Sequence, residues 1–168
     1  MTRKAIIFGI SGFRLTLKEK ILFKKEKPWG IILFSRNIKN FYQLKSLIKE
    51  IKKIFNDKKY PILIDQEGGK VSRLDKIVNL EFFSQEFFGN LYNSDKKLFY
   101  KVYKIYINAV SSILSGVGIN INTVPLLDVR RKKGHIVIGS RSFSYKTSYV
   151  TKLGRVCEKL YNKNKIAT

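Results

Sequence analysis

Residues 65–73 read Asp-Gln-Glu-Gly-Gly-Lys-Val-Ser-Arg, directly after the apolar run Tyr-Pro-Ile-Leu-Ile at 60–64. Asp65 and Glu67 stand two apart, so on a continuing strand both side chains point to the same face. Two carboxylates in one cleft are the raw material of general acid–base glycoside chemistry. An equally open alternative has Glu67 turning aside at Gly68-Gly69 to pair with Lys70 or Arg73. The double glycine permits positive φ and a close approach of main chain to a ligand. It is neither a dinucleotide fingerprint nor a phosphate loop, because no second glycine set and no Gly-Lys-Ser/Thr follows.

Other residues with chemical potential are fewer. Arg141, in Ile-Gly-Ser-Arg-Ser-Phe, has the planar fork that suits hydroxyl or carboxylate recognition, although a lone surface arginine would look the same. His135 is the only histidine and lies among Arg130, Arg131, Lys132 and Lys133, which favours an exposed bystander over an acid/base. Cys157, the only cysteine, falls in a helical pattern and reads as a small buried apolar residue, with no disulfide framework and a reducing compartment implied. One histidine and one distant cysteine build no zinc site, and no Gly-x-Ser-x-Gly elbow marks a serine hydrolase.

These groups need elements to position them. The runs at 5–10, 29–34 and 60–64 have strand length, and 117–129 is expected as a fourth strand ending at Pro125 and Asp128. Residues 165–168 begin what reads as a further strand. Between them, Phe41, Leu44, Leu47, Ile48, Ile51, Ile54 and Phe55 make a helical stripe capped by Asn40. A long helix is expected from Asp95 to Leu114 with Leu98, Val102, Ile105, Ala109, Val110 and Ile113 inward and Gly116 at its C-cap. Phe82, Phe83, Phe87 and Phe88 suggest a loop and short helix on the core. Tyr149, Leu153, Val156, Cys157 and Leu160 mark another helix. Alternating strand and helix implies parallel strands with right-handed crossovers, in a doubly wound sheet or a barrel. Either places ligands at the C-terminal strand ends, where Ser35-Arg36-Asn37, Asp65-Gln66-Glu67 and Asp128 fall.

Three motifs in order, residues 30–38 (GIILFSRNI), 63–74 (LIDQEGGKVSRL) and 118–144 (GININTVPLLDV through IGSRSFS), resemble the N-terminal half of family 3 glycoside hydrolases. The nearest branch by motif is the bacterial cytoplasmic β-N-acetylglucosaminidases of peptidoglycan recycling. The resemblance implies an α/β fold, a (β/α)8 TIM-type barrel truncated after about four and a half βα units, with residues 1–168 as one incomplete domain. It implies a retaining β-N-acetylhexosaminidase that removes terminal non-reducing N-acetylglucosamine from muropeptide or disaccharide substrates without metal or other cofactor. Asp65, Arg73 and Arg141 would hydrogen-bond the sugar, and Gln66 and Glu67 would brace the loop. Lys70 stands where the family often has an arginine, keeping charge but losing the fork. The family's His acid/base and Asp nucleophile fall beyond Thr168, so no catalytic residue is expected among residues 1–168, and the chain alone is expected to be inactive, with an open sheet edge and exposed apolar surface.

Composition supplies the competing reading. The 168 residues carry 34 Lys and Arg against 12 Asp and Glu, a net charge of +22, which attracts polyanions. A basic binding module for nucleic acid or anionic glycan is the alternative function. The lysines are spread through almost every segment, however, and no zinc-finger or RNP-like motif appears, so no specific nucleic-acid partner is expected. At 44% apolar residues the chain can bury a core. The N-terminal run MTRKAIIFGISGF is too short for a membrane span and lacks a small-x-small cleavage site, so a first strand and a cytoplasmic protein are expected.

Overall fold

Each strand of the sheet runs parallel to the one before it, because each is followed by a helix that carries the chain back over the same face. The computed structural model describes residues 2–131 and 134–168. Strands β1 (Lys4–Phe8), β2 (Pro28–Leu33), β3 (Ile62–Ile64) and β4 (Ile121–Asn122) form one sheet in the order β1-β2-β3-β4. Ala167 adds a parallel bridge to Ile121, continuing the same progression. A doubly wound sheet reverses direction at a switch point, whereas this order never does. The arrangement is that of a (β/α)8-type barrel.

Helices α1 (Leu17–Glu26), α2 (Phe41–Ile54), α3 (Gln85–Ser94), α4 (Lys96–Val117) and α5 (Thr147–Lys163) cover the sheet. Asn40 caps α2 as expected, its side chain accepting from the Gln43 amide at 2.9 Å. Leu44, Leu47, Ile48 and Ile51 are buried against Ile31, Leu33, Ile62 and Ile64 of the strands. Asp95 caps α4 through the Leu98 amide at 2.9 Å.

Three expectations need correction, and one helix was not anticipated. Helix α1 carries no apolar stripe, since Leu17, Ile21 and Leu22 are exposed while Phe23 is buried, so periodicity hides it. Its one legible signal is the capping box of Thr16 and Glu19. In α4 the inward face is Phe99, Tyr103, Tyr106, Ile107, Val110 and Leu114, while Leu98 and Ile105 face solvent. Lys97, Lys101, Lys104 and Asn108 mark the solvent face of that helix, and its aromatic residues Phe99, Tyr103 and Tyr106, which bury the most area, take the core side. Gly118, with φ at 99°, ends α4 in place of Gly116. The fourth strand is only Ile121–Asn122, because the Thr123 amide makes the last ladder bond, to the Ile64 carbonyl at 2.9 Å, the Val124 amide turns back to the Asn122 carbonyl, and Pro125 has no amide to rejoin the ladder.

β1, at the opposite edge of the sheet from the last strand, exposes Ile6 and Ile7. No described helix is long and apolar enough to cross a membrane.

Candidate sugar site at the strand ends

The chain leaving β3 alternates its side chains. Gln66 turns inward, fully buried, and its Oε1 accepts from the Arg73 amide at 2.8 Å and the Leu74 amide at 3.0 Å. Its Nε2 donates to the Ser72 hydroxyl at 3.1 Å. Asn122 of β4 grips the main chain of Gln66 from the other side, Oδ1 accepting from its amide at 2.9 Å and Nδ2 donating to its carbonyl at 3.1 Å. These bonds satisfy buried polar groups that would otherwise be orphaned, so they define the loop closely. Gln66 is therefore a loop brace.

Asp65 and Glu67 emerge at the strand mouth but take different partners. The Asp65 Oδ1 accepts from the Thr123 hydroxyl at 2.5 Å, and its Oδ2 faces Arg73 Nη2 at 3.4 Å. Glu67 receives Arg141 in a two-pronged bridge, Nε to Oε2 at 2.9 Å and Nη2 to Oε1 at 2.7 Å. The pairing of Glu67 with Lys70 or Arg73, left open by spacing, does not form. Lys70 is exposed and has no carboxylate partner among the described residues. Glu67 is only 6% exposed, and its hydrogen bonds raise the Arg141 pKa further above its already high value.

Both glycines of the loop are required by geometry. Gly68 has φ at 86°, and a Cβ there would lie 2.3 Å from the Phe83 carbonyl oxygen. Gly69 has φ at 60°. The fold tightens again where Gly89 of α3 meets the Arg141 loop, since a Cβ on Gly89 would sit 1.8 Å from the Phe143 oxygen. That loop contains a single helical turn, Gly139–Arg141. It is tied to the 128–130 segment by the Ser142 hydroxyl donating to the Asp128 carbonyl at 2.6 Å and the Arg130 amide donating to the Ser144 carbonyl. Arg130 adds an ion pair to Glu86 of α3 and a bond from Nη2 to the Ser142 carbonyl at 3.0 Å.

The remaining candidates separate from this cluster. Asn37 is buried and braces the loop after β1, donating to the carbonyls of Ile10 and Gly12, both at 3.1 Å. Arg36 joins it through the Ile10 carbonyl at 3.0 Å, its guanidinium over the Phe34 ring. Arg73 sits over the same ring at 5.7 Å, so Phe34 links the β2 end to the cluster. The Asp128 side chain is exposed. His135 is exposed and its Nδ1 accepts from the Val137 amide within its own loop. Cys157 is buried, with its pKa pushed up to about 12 by loss of hydration. Lys132 and Lys133 lie outside the described residues. Among the described residues, no group of three or more His, Cys, Asp or Glu side chains is close enough to hold a metal ion.

Sequence reasoning missed Thr123, Phe34 and the Glu67–Arg141 bridge. Thr123 could have been found by register, since Ile64 pairs with Asn122 and the next residues along, Asp65 and Thr123, are then neighbours. The bridge spans 74 residues and left no local signal.

A family model described as glycosyl hydrolase family 3 N terminal domain matches residues 9–167. The chain belongs to that family. A beta-hexosaminidase of Neisseria gonorrhoeae is 33% identical over 160 residues, which are 94% of this chain and 43% of that protein. Beta-hexosaminidase A of Pseudoalteromonas piscicida is 33% identical over 129 residues, covering 74% of this chain and 21% of its own length. Among solved structures, Neisseria gonorrhoeae NagZ in complex with N-trifluoroacetyl-D-glucosamine matches with a TM-score of 0.84 at 30% identity, over 96% of this chain and 48% of that one. A Thermotoga maritima beta-N-acetylglucosaminidase matches with a TM-score of 0.74 at 19% identity and shows the shared fold alone. This family 3 chain thus spans less than half the length of these relatives.

Proposed function

We propose that the cluster at the strand ends is the sugar-holding half of a β-N-acetylhexosaminidase site, with Asp65, Arg73 and Arg141 as its sugar contacts. The observation that carries this reading is the convergence of the three residues, each pre-set by a partner, on one face of a family 3 fold. Asp65 is steered by Thr123 and keeps acceptor capacity for sugar hydroxyls. Arg73 makes one long bond to Asp65 through Nη2, so a guanidinium with five N–H donors keeps donors for sugar hydroxyls. Arg141 is held as a rigid fork by Glu67, which leaves Nη1 for a ligand. A relative's complex with N-trifluoroacetyl-D-glucosamine supports an N-acetylglucosamine-type ligand.

In the whole protein this site would hold the terminal sugar during retaining hydrolysis of peptidoglycan-derived oligosaccharides in the cytoplasm, with residues 1–168 forming part of a single barrel domain. The acid/base and the nucleophile would come from outside the residues described. His135 has no role in this reading, because it faces solvent in its own loop.

Calorimetric titration of the full-length protein with N-acetylglucosamine tests the proposal. Saturable binding that hardly changes with salt and falls at least about tenfold in Asp65→Asn is expected, the loss of one charge-assisted bond. Binding unaffected by Asp65→Asn and Arg73→Ala would sink it. The competing basic-module reading requires binding that collapses as salt rises.

A further inference from the structure

The sugar site uses little of the chain's positive charge, and one part of the remainder is organised. Tyr42, Lys45, Lys49 and Lys53 lie on α2 at spacings of three and four, so they share one face, rising about 6 Å per four residues. All four are exposed, Tyr42 at 83%. The lysines line a groove of about 820 Å³ together with Lys52 and Lys58, between the C-terminal ends of α2 and α4. Those ends lie at the opposite pole of the sheet from Asp65, since each helix returns the chain to the start of the next strand.

Helix ends attract lysines without any partner, so magnitude has to decide. Two helix C-termini carry about one unit of negative charge between them. Among the described residues Asp57 is the only carboxylate lining the groove, and Arg3 already pairs with it. The nearby Glu50 pairs with Lys20 across α1 and α2. Lys52 is committed to the Gly118 carbonyl at 2.7 Å, while Lys45, Lys49, Lys53 and Lys58 have no carboxylate partner among the described residues. With Asp57 already matched by Arg3, five ammonium groups against two helix ends leave about four uncompensated positive charges.

We propose that this face of α2 and its groove dock single-stranded nucleic acid through backbone phosphates, with Tyr42 as a stacking platform for one base and no preference for sequence. A repeated row of cations in a concave track, ended by an exposed aromatic ring, matches the way single strands are held. A lipid surface is less well served, because the groove is concave and bears no projecting aliphatic anchor beside its lysines.

Fluorescence anisotropy of the full-length protein with a labelled oligothymidylate tests this as KCl is raised. Four neutralised phosphates predict a slope of log K against log salt of about −3. Lys49→Glu/Lys53→Glu is expected to weaken binding at least about tenfold and to flatten that slope by about one unit or more. Tyr42→Ala is expected to cost about fivefold or more. Lys97→Glu/Lys101→Glu, which removes the same charge from exposed positions on α4, is expected to cost much less. N-acetylglucosamine affinity should be unchanged in all three variants, so failure here and failure of the sugar site are read separately. Equal weakening by the α4 variant would mean diffuse charge, and no effect of Tyr42→Ala would mean no stacking. Either result, or tighter binding to phosphatidylserine vesicles than to the oligonucleotide, overturns the proposal.

Discussion

The Glu67 carboxylate grips both Nε and Nη2 of Arg141, at 2.9 and 2.7 Å, joining the loop after β3 to the loop before α5. Neither residue is free to move without the other. Replacing Glu67 by Gln keeps the shape but leaves Arg141 three-quarters buried without its counter-charge. A loss of about 2–3 kcal/mol in urea unfolding is expected, together with a tenfold or greater loss of N-acetylglucosamine affinity. Unchanged affinity with lowered stability would show that Arg141 serves only the fold.

Asp65→Asn should behave in the opposite way. An amide can still meet the Thr123 hydroxyl and Arg73, so stability is expected to change by less than about 1 kcal/mol. Sugar affinity should fall sharply, because the charge-assisted acceptor is gone. The contrast between these two variants, measured in the same titration and melting experiments, separates contact from support.

Much of this arrangement was legible beforehand, and the residues show why. The alternating apolar runs put Asp65 at a strand end, whereas Arg73 and Arg141 join it as one set only through the family resemblance of their motifs. The barrel-like strand order was not legible from periodicity, because parallel strands read alike in either architecture. Helix α1 was missed because Leu17, Ile21 and Leu22 point to solvent, and the buried face of α4 was misjudged because its aliphatic residues were read as the inward set, whereas the aromatic Phe99, Tyr103 and Tyr106 lie inward. The partners of Asp65 and Glu67 were hidden for a different reason: Thr123 and Arg141 come close only through the fold.

Gly68→Ala is expected to be among the most damaging small changes. The backbone sits at φ 86° and the new methyl would meet the Phe83 carbonyl and the Tyr106 hydroxyl. Strain of about 2 kcal/mol or more should appear as a lowered melting temperature. Gly12→Ala, whose Cβ would meet nothing within 4 Å, is the control and should be close to neutral.

The pH dependence of stability has a named contributor at the start of α1. Burial alone would raise the Glu19 pKa, but hydrogen bonds from the Thr16 and Ser11 amides and the Thr16 hydroxyl outweigh it and lower the pKa below 4.5. A carboxyl with a depressed folded-state pKa stabilises above its unfolded value and loses that contribution as pH falls through the folded one. Glu19→Gln should therefore be less stable than the parent at pH 7 and approach it as the pH drops below 4.5. Denaturation curves across that range check it, and a constant difference at every pH would contradict it.

Cys157 should be silent in the native protein. It is 2% exposed and its thiol is pushed up to about 12, so thiolate is scarce and inaccessible. Ellman's reagent at pH 8 is expected to detect one thiol only after unfolding, and rapid native labelling would show that α5 opens.

The Glu67–Arg141 bridge also sets an order in time. Its partners are 74 residues apart and Asp65 and Thr123 are 58 apart, whereas the Tyr60 hydroxyl reaches the Pro28 carbonyl across 32. Contacts between distant segments wait on the closure of longer loops. The first strands can therefore pair while the charges at their mouths are still unmatched, and the strand-end cluster is among the last parts of the molecule to come into being. The Glu67–Arg141 bridge is then a clock that reads zero until these distant segments have met.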